Sequence, residues 1–480
     1  MNDTGKIHFT GIGGSGMSAL SQMAAMEGRA VTGSDRDFDN GRNAGFRTAL
    51  ERLGIKIFRQ DGSGIDAGTS ELAVSTAIED SNPEIAKAKA VGARVLHRSE
   101  LLASYVGRFR TVAVGGTSGK STVVGMIFSI LEEAGLGPSV ITGGPLVGLK
   151  ERGLIGNAWR GSGDILVVEA DESDGTIVQY RPAVGIVLNI SKDHKSVPEI
   201  QAIFRKFADN TGKLYVNAAG PELAEFRNGA TAFGRDCPGM RVEDLRLEMF
   251  GSSFRLNGKD FAVPAPGLYN VDNALAAIRV SMDLGADLSA CAAGLRKFRG
   301  IQRRFQLAGS AGGVTVLDDY AHNPAKISAV LDALHGSPGR RVIALYQPHG
   351  FAPTRHLRRE LVEAFLGGLT RTDVLIMPEI FYAGGTVARD ISSRDLTDEI
   401  SAGGRSAFYF KERRDAAAKA VELASPGDII IVMGARDWTL SDLAAELFES
   451  VRKKLAAADT DGGVCGSGGK AGLFQDRDRG

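Results

Sequence analysis

The sequence predicts an α/β protein of about three domains built around parallel β-sheets. Three observations carry that expectation. The chain has 480 residues, and at about 150 residues per domain that is enough for three. Short apolar runs alternate with longer amphipathic stretches, the rhythm of βαβ units. Two of those runs end in Gly-rich turns that open a helix, Gly11-Ile12-Gly13-Gly14-Ser15-Gly16 and Gly116-Thr117-Ser118-Gly119-Lys120.

The elements follow in chain order. Residues 7–10 read as a strand and 15–27 as the helix after its glycine turn. A second unit starts with a β-type run at 111–114, again ending in glycine, and 165–168 and 185–188 read as further strands of that sheet. Residues 341–346, 374–377 and 429–432 supply a third set. The boundaries fall near 108 and 306, giving domains 1–108, 109–305 and 306–455. Residues 456–480 turn to Ala, Asp, Gly and Ser without periodicity, the composition of a disordered tail.

Composition excludes several classes of function. Lys+Arg and Asp+Glu are both 57, so no basic excess draws the chain to nucleic acid or to a membrane surface. No apolar stretch approaches a membrane span, and residues 1–6 lack a signal core. The three cysteines, Cys237, Cys291 and Cys465, are odd in number and far apart, which fits a reducing compartment. These features predict a cytoplasmic enzyme.

The motifs narrow its chemistry. Gly11 to Gly16 follows a strand and opens a helix, with Asp35 about 20 residues on, as in dinucleotide-binding folds. Its spacing fits a nicotinamide cofactor or another nucleotide diphosphate, so a nicotinamide-dependent dehydrogenase stands as one alternative. Gly116-Thr117-Ser118-Gly119-Lys120-Ser121-Thr122 is a shortened P-loop, with Val114 where the full pattern has glycine. Its N–H groups would face phosphate, Lys120 the β/γ oxygens and Ser121 a Mg²⁺. Glu169, Asp171, Glu172 and Asp174 crowd the end of an apolar strand, where they repel unless cations are present. Glu169 with His194, after the next strand, suits a divalent ion. Asn270 and Asn273 lie on one face of a helix start; helix capping is the simpler reading, nucleotide contact the other. Arg304 would clamp a phosphate and Asp319 ribose hydroxyls, with a surface ion-pair cluster as the alternative.

Taken in order from Ile7 to about Leu455, these stretches resemble the Mur ligase family. Gly11 to Ser18, Gly33-Ser34-Asp35, Ser75 to Pro83, Glu169 to Gly175 and Asp318 to His322 are the most specific parts. The resemblance implies three domains: a Rossmann-like N-terminal domain for a UDP-sugar, a central P-loop ATPase domain, and a Rossmann-like C-terminal domain for the amine. It implies an ATP- and Mg²⁺-dependent ligase that joins an amino acid, L-alanine first, or a short peptide to a UDP-N-acetylmuramate-like acid. A peptide-recycling ligase or a relative with another acid and amine are the alternatives, and the chain would be a monomer or homodimer. The sugar nucleotide would be held by Gly13, Gly14, Ser15, Gly16, Met17, Ser34, Asp35, Ser75, His97 and Arg98. ATP would meet Gly116 to Thr122, Asn270, Asn273, Arg304 and Asp319. Lys120, Glu169 and His194 would be catalytic, and Ser121, Glu169 and His194 would bind metal. His322, His349 and Arg355 would face the amine. The chain departs from the family pattern at Ser118, Ser121-Thr122, Ser196, Tyr269, Asn323, Gln347 to Arg355 and Gly385. The last two changes bear on the amine.

Overall fold

The computed structural model describes residues 5–172, 175–191, 195–336, 339–382, 388–437 and 439–461. The chain divides into two compact units, Met1–Gln302 and Arg303–Gly480.

The first unit opens on a five-stranded parallel sheet ordered Lys56–Phe58, Val31–Ser34, Lys6–Thr10, Thr69–Val74, Arg94–His97. Along Lys6–Thr10, Ile7 and Phe9 enter the apolar core, while His8 and Thr10 are equally buried on the other face. The helix foreseen over 15–27 forms as Ser15–Met26, with Glu27 as its C-cap. It buries every residue from Met17 to Ala24, with Met17, Leu20, Met23 and Ala24 among those in the apolar core.

The larger sheet has seven strands, ordered Thr231–Phe233, Lys213–Asn217, Val184–Val187, Arg110–Gly115, Ile165–Glu169, Ser139–Ile141, Ala158–Trp159. Only its last pair is antiparallel. Arg110–Gly115 pairs in parallel with Val184–Val187 on one side and Ile165–Glu169 on the other. The loops after these three strands therefore emerge side by side. Helix Lys120–Glu133 packs Val123, Val124, Ile127, Ile130 and Leu131 into the core. The two sheets are joined by amide contacts: Gln22 Nε2 donates to Asn157 Oδ1 (2.7 Å), and Asn157 Nδ2 donates to the Ser15 carbonyl (2.9 Å).

An antiparallel sheet, Asp236–Cys237, Met240–Glu248, Gly251–Leu256 and Lys259–Val263, was not foreseen. Its signal is present in Asn257-Gly258, which has φ values of 50° and 77° and links Leu256 to Lys259. That pair favours a two-residue hairpin turn because both positions need positive φ.

The second unit carries a six-stranded sheet ordered Gln306–Ala311, Val314–Asp319, Ile429–Gly434, Val342–Gln347, Val374–Pro378, Ser406–Phe410. All neighbours are parallel except the first pair. The first two and the last of these strands were not expected from the sequence. Helix Leu440–Asp461 buries Leu440, Leu443, Ala444, Leu447 and Val451. It runs six residues past the expected end of the domain at 455, because Leu455 still packs on that stripe and the alanines after it favour helix. Thus 456–461 are helical rather than tail, and 462–480 lie outside the described residues. Among the described residues no helix is long and apolar enough to cross a membrane.

Candidate active site

The loop after Arg110–Gly115 sits at the middle of the seven-stranded sheet. Gly116 has φ 142° and Gly119 φ 88°, values that admit glycine and strain other residues. A Cβ on Gly116 would lie 3.3 Å from the Asn189 nitrogen, so the loop runs hard against the end of the neighbouring strand. Asn189 braces it. Its Oδ1 accepts from the Ser118 N–H (2.9 Å) and Thr117 Oγ1 (3.2 Å), and its Nδ2 donates to the Ser118 carbonyl (3.0 Å). The loop ends on the first turn of helix Lys120–Glu133, whose unpaired N–H groups favour an anion.

Lys120 is folded back over this loop. Its Nζ donates to the Gly116 carbonyl (2.9 Å) and to Glu172 Oε2 (2.8 Å), and Asp171 Oδ1 is 3.6 Å away. Burial alone would lower the Lys120 pKa. Glu172, Asp171 and Glu169 outweigh it, and the pKa stands above the usual lysine value. Burial pushes the Glu172 carboxyl up, and Lys120 draws it partly back.

Ser121 and Glu169 converge on the next loop. A Cβ on Gly144 would lie 3.4 Å from Ser121 Oγ, and one on Gly143 would lie 3.2 Å from Glu169 Oε2. Glu169 is oriented through Oε1, which accepts from the Thr142 hydroxyl and from the Gly143 N–H (3.0 Å). A hydroxyl and a carboxylate beside a phosphate-type loop are hard oxygen donors that fit Mg²⁺. His194, the third expected ligand, lies outside the described residues. Among the described residues no cluster of three or more His, Cys, Asp or Glu is placed to hold a metal.

Helix Leu268–Asp283 starts at Gly267, and neither asparagine caps it. Asn270 Nδ2 donates to the Pro266 carbonyl (2.7 Å), and Asn273 Nδ2 donates to Asn270 Oδ1 (3.1 Å). The capping reading is overturned, because Gly267 takes the N-cap position and the one bond that Asn270 Oδ1 accepts comes from the Asn273 side chain rather than from a helix N–H. Asn273 Oδ1 lies instead 2.7 Å from where a Gly119 Cβ would be, which joins this pair to the Lys120 loop.

In the first loop, Gly11 and Ile12 donate to the Ser34 carbonyl (2.8 and 3.0 Å), and Gly13 donates to Asp35 Oδ2 (2.8 Å). Asp35 Oδ1 also caps the short helix Arg36–Asp39 through the Asp37 N–H (2.9 Å). Burial raises the Asp35 pKa, against the pull of those two N–H groups. Gly14 is the N-cap of helix Ser15–Met26, so the N–H groups of Ser15, Gly16 and Met17 have no intrahelical acceptor. Arg98 Nη1 lies 2.8 Å from where a Gly16 Cβ would be, which brings a cation to that turn. Free N–H groups and a nearby guanidinium favour an anion at that turn.

Not every expected residue offers its side chain. The Met17 side chain is buried in the core, leaving only its backbone for a ligand. The Ser34 hydroxyl is turned into the sheet and donates to Glu84 Oε2 (2.7 Å). His97 is the N-cap of helix Arg98–Arg108, accepting from the Ser99 N–H (3.3 Å). Its Nε2 is buried with no hydrogen-bond partner among the described residues. Ser75 begins the turn after Thr69–Val74, its carbonyl accepting from Ile78.

In the second unit, both Asp319 oxygens are taken by backbone, Oδ2 by Phe305 N–H (2.6 Å) and Oδ1 by Ala321 N–H (2.7 Å). Burial raises its pKa, opposed by Arg304. Arg304 is exposed, with its guanidinium 5.7 Å from the Tyr320 ring. Arg303 beside it is buried, donating to Asp318 Oδ1 (3.1 Å) and to the Gly434 and Asp437 carbonyls (2.8 and 3.1 Å). His322 and His349 are brought together, ring centroids 5.3 Å apart. Burial drives the His322 pKa down to about 3, so its ring is neutral at pH 7. Arg355, on helix Phe351–His356, pairs with Asp390. Gly385 lies outside the described residues.

Three family models match in chain order: "Mur ligase family, catalytic domain" over 6–110, "Mur ligase middle domain" over 114–281, and "Mur ligase, glutamate ligase domain" over 303–436. The chain belongs to the Mur ligase family. Its relatives include a UDP-N-acetylmuramate–L-alanine ligase of Pelotomaculum thermopropionicum, 34% identical over 454 residues, spanning 90% of this chain and 95% of the relative. Among solved structures, the UDP-N-acetylmuramate–alanine ligase of Thermotoga maritima covers 95% of this chain and 100% of its own, with TM-score 0.74 and 25% identity. A murein peptide ligase of Psychrobacter arcticus covers 93% and 99%, with TM-score 0.65 and 23% identity, which speaks to the fold. The first family model takes in Gly11 to Gly16, so the dehydrogenase alternative loses its only support. The expected Mur ligase α/β architecture is the one found.

Reading the sequence alone missed Asn189 as the brace of the Lys120 loop, and Glu172 as the partner of Lys120. Glu172 lay in the acidic strand end already singled out, and Asn189 in the run that follows strand 185–188 and leads to His194. Position just after a strand of the same sheet as the loop was the available signal.

Proposed function

We propose that this enzyme joins L-alanine to UDP-N-acetylmuramate with the cleavage of ATP, as a step of peptidoglycan synthesis. The observation that carries the reading is Lys120 folded over the Gly116–Gly119 loop at the centre of the sheet, with Ser121 next to it and Glu169 meeting on the adjacent Gly143-Gly144 loop. In this reading a substrate carboxylate oxygen attacks the γ-phosphorus and ADP departs, leaving an acyl phosphate. The amine nitrogen then attacks the acyl carbon, loses a proton, and the tetrahedral intermediate expels phosphate.

Lys120 offsets the charge of the transferring group, and the loop N–H groups orient it. Ser121 and Glu169, with His194, would hold Mg²⁺, which when bound neutralises phosphate oxygens. Asn270 and Asn273 would hold the nucleotide from the side of Gly119. The first loop, with Arg98, would hold the UDP diphosphate. Arg304 would contact a phosphate, while Asp319, its oxygens committed to backbone, would act by shaping the Arg304 turn. His322 and His349 would face the amine; a neutral His322 does not repel an ammonium. We divide the chain, in this reading, into 1–108, 109–305 and 306–461, and place the enzyme in the cytoplasm as a monomer or homodimer.

The test is ATP-dependent phosphate release with UDP-N-acetylmuramate and a panel of amino acids and short peptides. L-Alanine is expected to give the highest kcat/KM. Preference for a tripeptide would assign the chain to peptide recycling, and no release with any amine would overturn the reading.

A further inference from the structure

The run from Ser75 to Pro83 is specific in sequence, yet the site above leaves it almost unused. It leads into Asn82-Pro83-Glu84. Asn82 caps helix Pro83–Ala90 by accepting from the Glu84 N–H (2.9 Å), with Pro83 at the first helical position. Glu84 is 0% exposed. Its Oε2 accepts from Thr10 Oγ1 (2.6 Å) and Ser34 Oγ (2.7 Å). Its Oε1 lies 3.1 Å from His8 Nε2, and His8 Nδ1 lies 2.7 Å from Thr32 Oγ1. A carboxylate oxygen only accepts, so Nε2 carries the proton in this chain of contacts.

Thr10 and Ser34 are register partners and the last residues of neighbouring strands, as His8 and Thr32 are partners two residues earlier. One carboxylate oxygen therefore pins two strand ends together. The next residue after Thr10 is Gly11, and Gly11 and Ile12 both hang from the Ser34 carbonyl. The next residue after Ser34 is Asp35, which takes the Gly13 N–H. Both anchors of the first glycine loop thus lead back to Glu84. Apolar side chains of similar volume would hold a sheet face as well or better than a buried carboxylate. What they would not do is fix the spacing of two strand ends through directional bonds.

We infer that Glu84 is a positioning residue for the sugar-nucleotide site, setting the Gly11–Gly16 loop through Thr10 and Ser34 without touching the ligand. This rests on the proposed function for the identity of that ligand. Misplacing a binding element by a fraction of an ångström is costly in affinity.

The test uses the full chain, calorimetric titration with UDP-N-acetylmuramate and with UDP, and steady-state kinetics. Glu84→Gln keeps the volume but leaves a single acceptor oxygen, so its NH2 group must face either the two hydroxyls or the His8 Nε2–H, and one side of the network loses its acceptor. It is expected to raise the Kd and KM for UDP-N-acetylmuramate roughly tenfold, with KM for ATP and saturated kcat within about twofold of wild type. Thr10→Val, which removes a single donor, is expected to move the same constants the same way by a few-fold, and it carries the test if Glu84→Gln does not fold. Unchanged sugar-nucleotide affinity in a folded variant would overturn the inference. So would equal losses on the ATP and sugar sides, the mark of a merely structural role. A wild-type enzyme that binds neither UDP nor UDP-N-acetylmuramate would overturn the proposed function first, and this inference with it.

Discussion

The two glycine loops of the first unit are built alike and differ in where their cation comes from. Each follows a strand of a parallel sheet and opens a helix, Ser15–Met26 in one case and Lys120–Glu133 in the other. The Lys120 loop carries its cation within the motif. The Gly11–Gly16 loop carries none and takes Arg98, brought over Gly16 from the start of another helix. Each loop also holds a protein carboxylate near the place of a phosphate: Glu172 on Lys120, and Asp35 on the Gly13 N–H. Glycine spacing alone therefore predicts an anion at both loops and does not tell them apart. Under the proposed function the source of the cation separates their parts in the reaction: an internal lysine would follow a transferring phosphoryl group, and a distant arginine would clamp a diphosphate in place.

Three experiments would break or sharpen that contrast. The largest effect is expected from Lys120→Ala: loss of about 10²–10³ in kcat, with the melting temperature preserved and affinity for UDP-N-acetylmuramate unchanged by titration. Turnover like that of wild type would erase the distinction between the loops. Arg98→Ala is expected to raise the Kd for UDP-N-acetylmuramate by about 10–100-fold, the worth of one charge-assisted phosphate contact, while KM for ATP stays put. A matching change on the ATP side would show that Arg98 serves no single loop.

The smallest effect concerns pH. The Asp35 pKa is raised by burial above its ordinary 3.8, so the carboxyl is still protonated where a surface aspartate has ionised. As pH rises through that raised pKa, a negative charge develops beside the first loop and UDP affinity falls modestly. Asp35→Asn is expected to flatten this part of the pH profile, read by titration with UDP between pH 4 and 7. A profile identical to wild type would show that Asp35 stays remote from the bound diphosphate.

Both loops were legible in the sequence because glycine, strand and helix lie within a dozen residues of one another. Their supports were not. Lys120 and Glu172 are 52 residues apart, Ser118 and Asn189 71, and His8 and Glu84 76; only the sheet order brings them together. Asn270 and Asn273 show the same limit. Their spacing suggested a cap, but the cap position fell to Gly267, and the pair turned to Gly119 instead. The Asn257-Gly258 hairpin is the opposite case, a local signal that was available and unused. Helix Leu440–Asp461 outran its expected end because low-complexity alanine reads as tail in composition and as helix in propensity.

The strand Gln306–Ala311 has a consequence for how the second unit is handled. It lies antiparallel against Val314–Asp319, all six of whose residues are buried, and it closes that side of the sheet. A fragment begun after Ala311 would bare the backbone donors and acceptors of an apolar strand, an open template for intermolecular pairing. Such a fragment would self-associate, whereas one begun at Arg303 keeps its own edge covered.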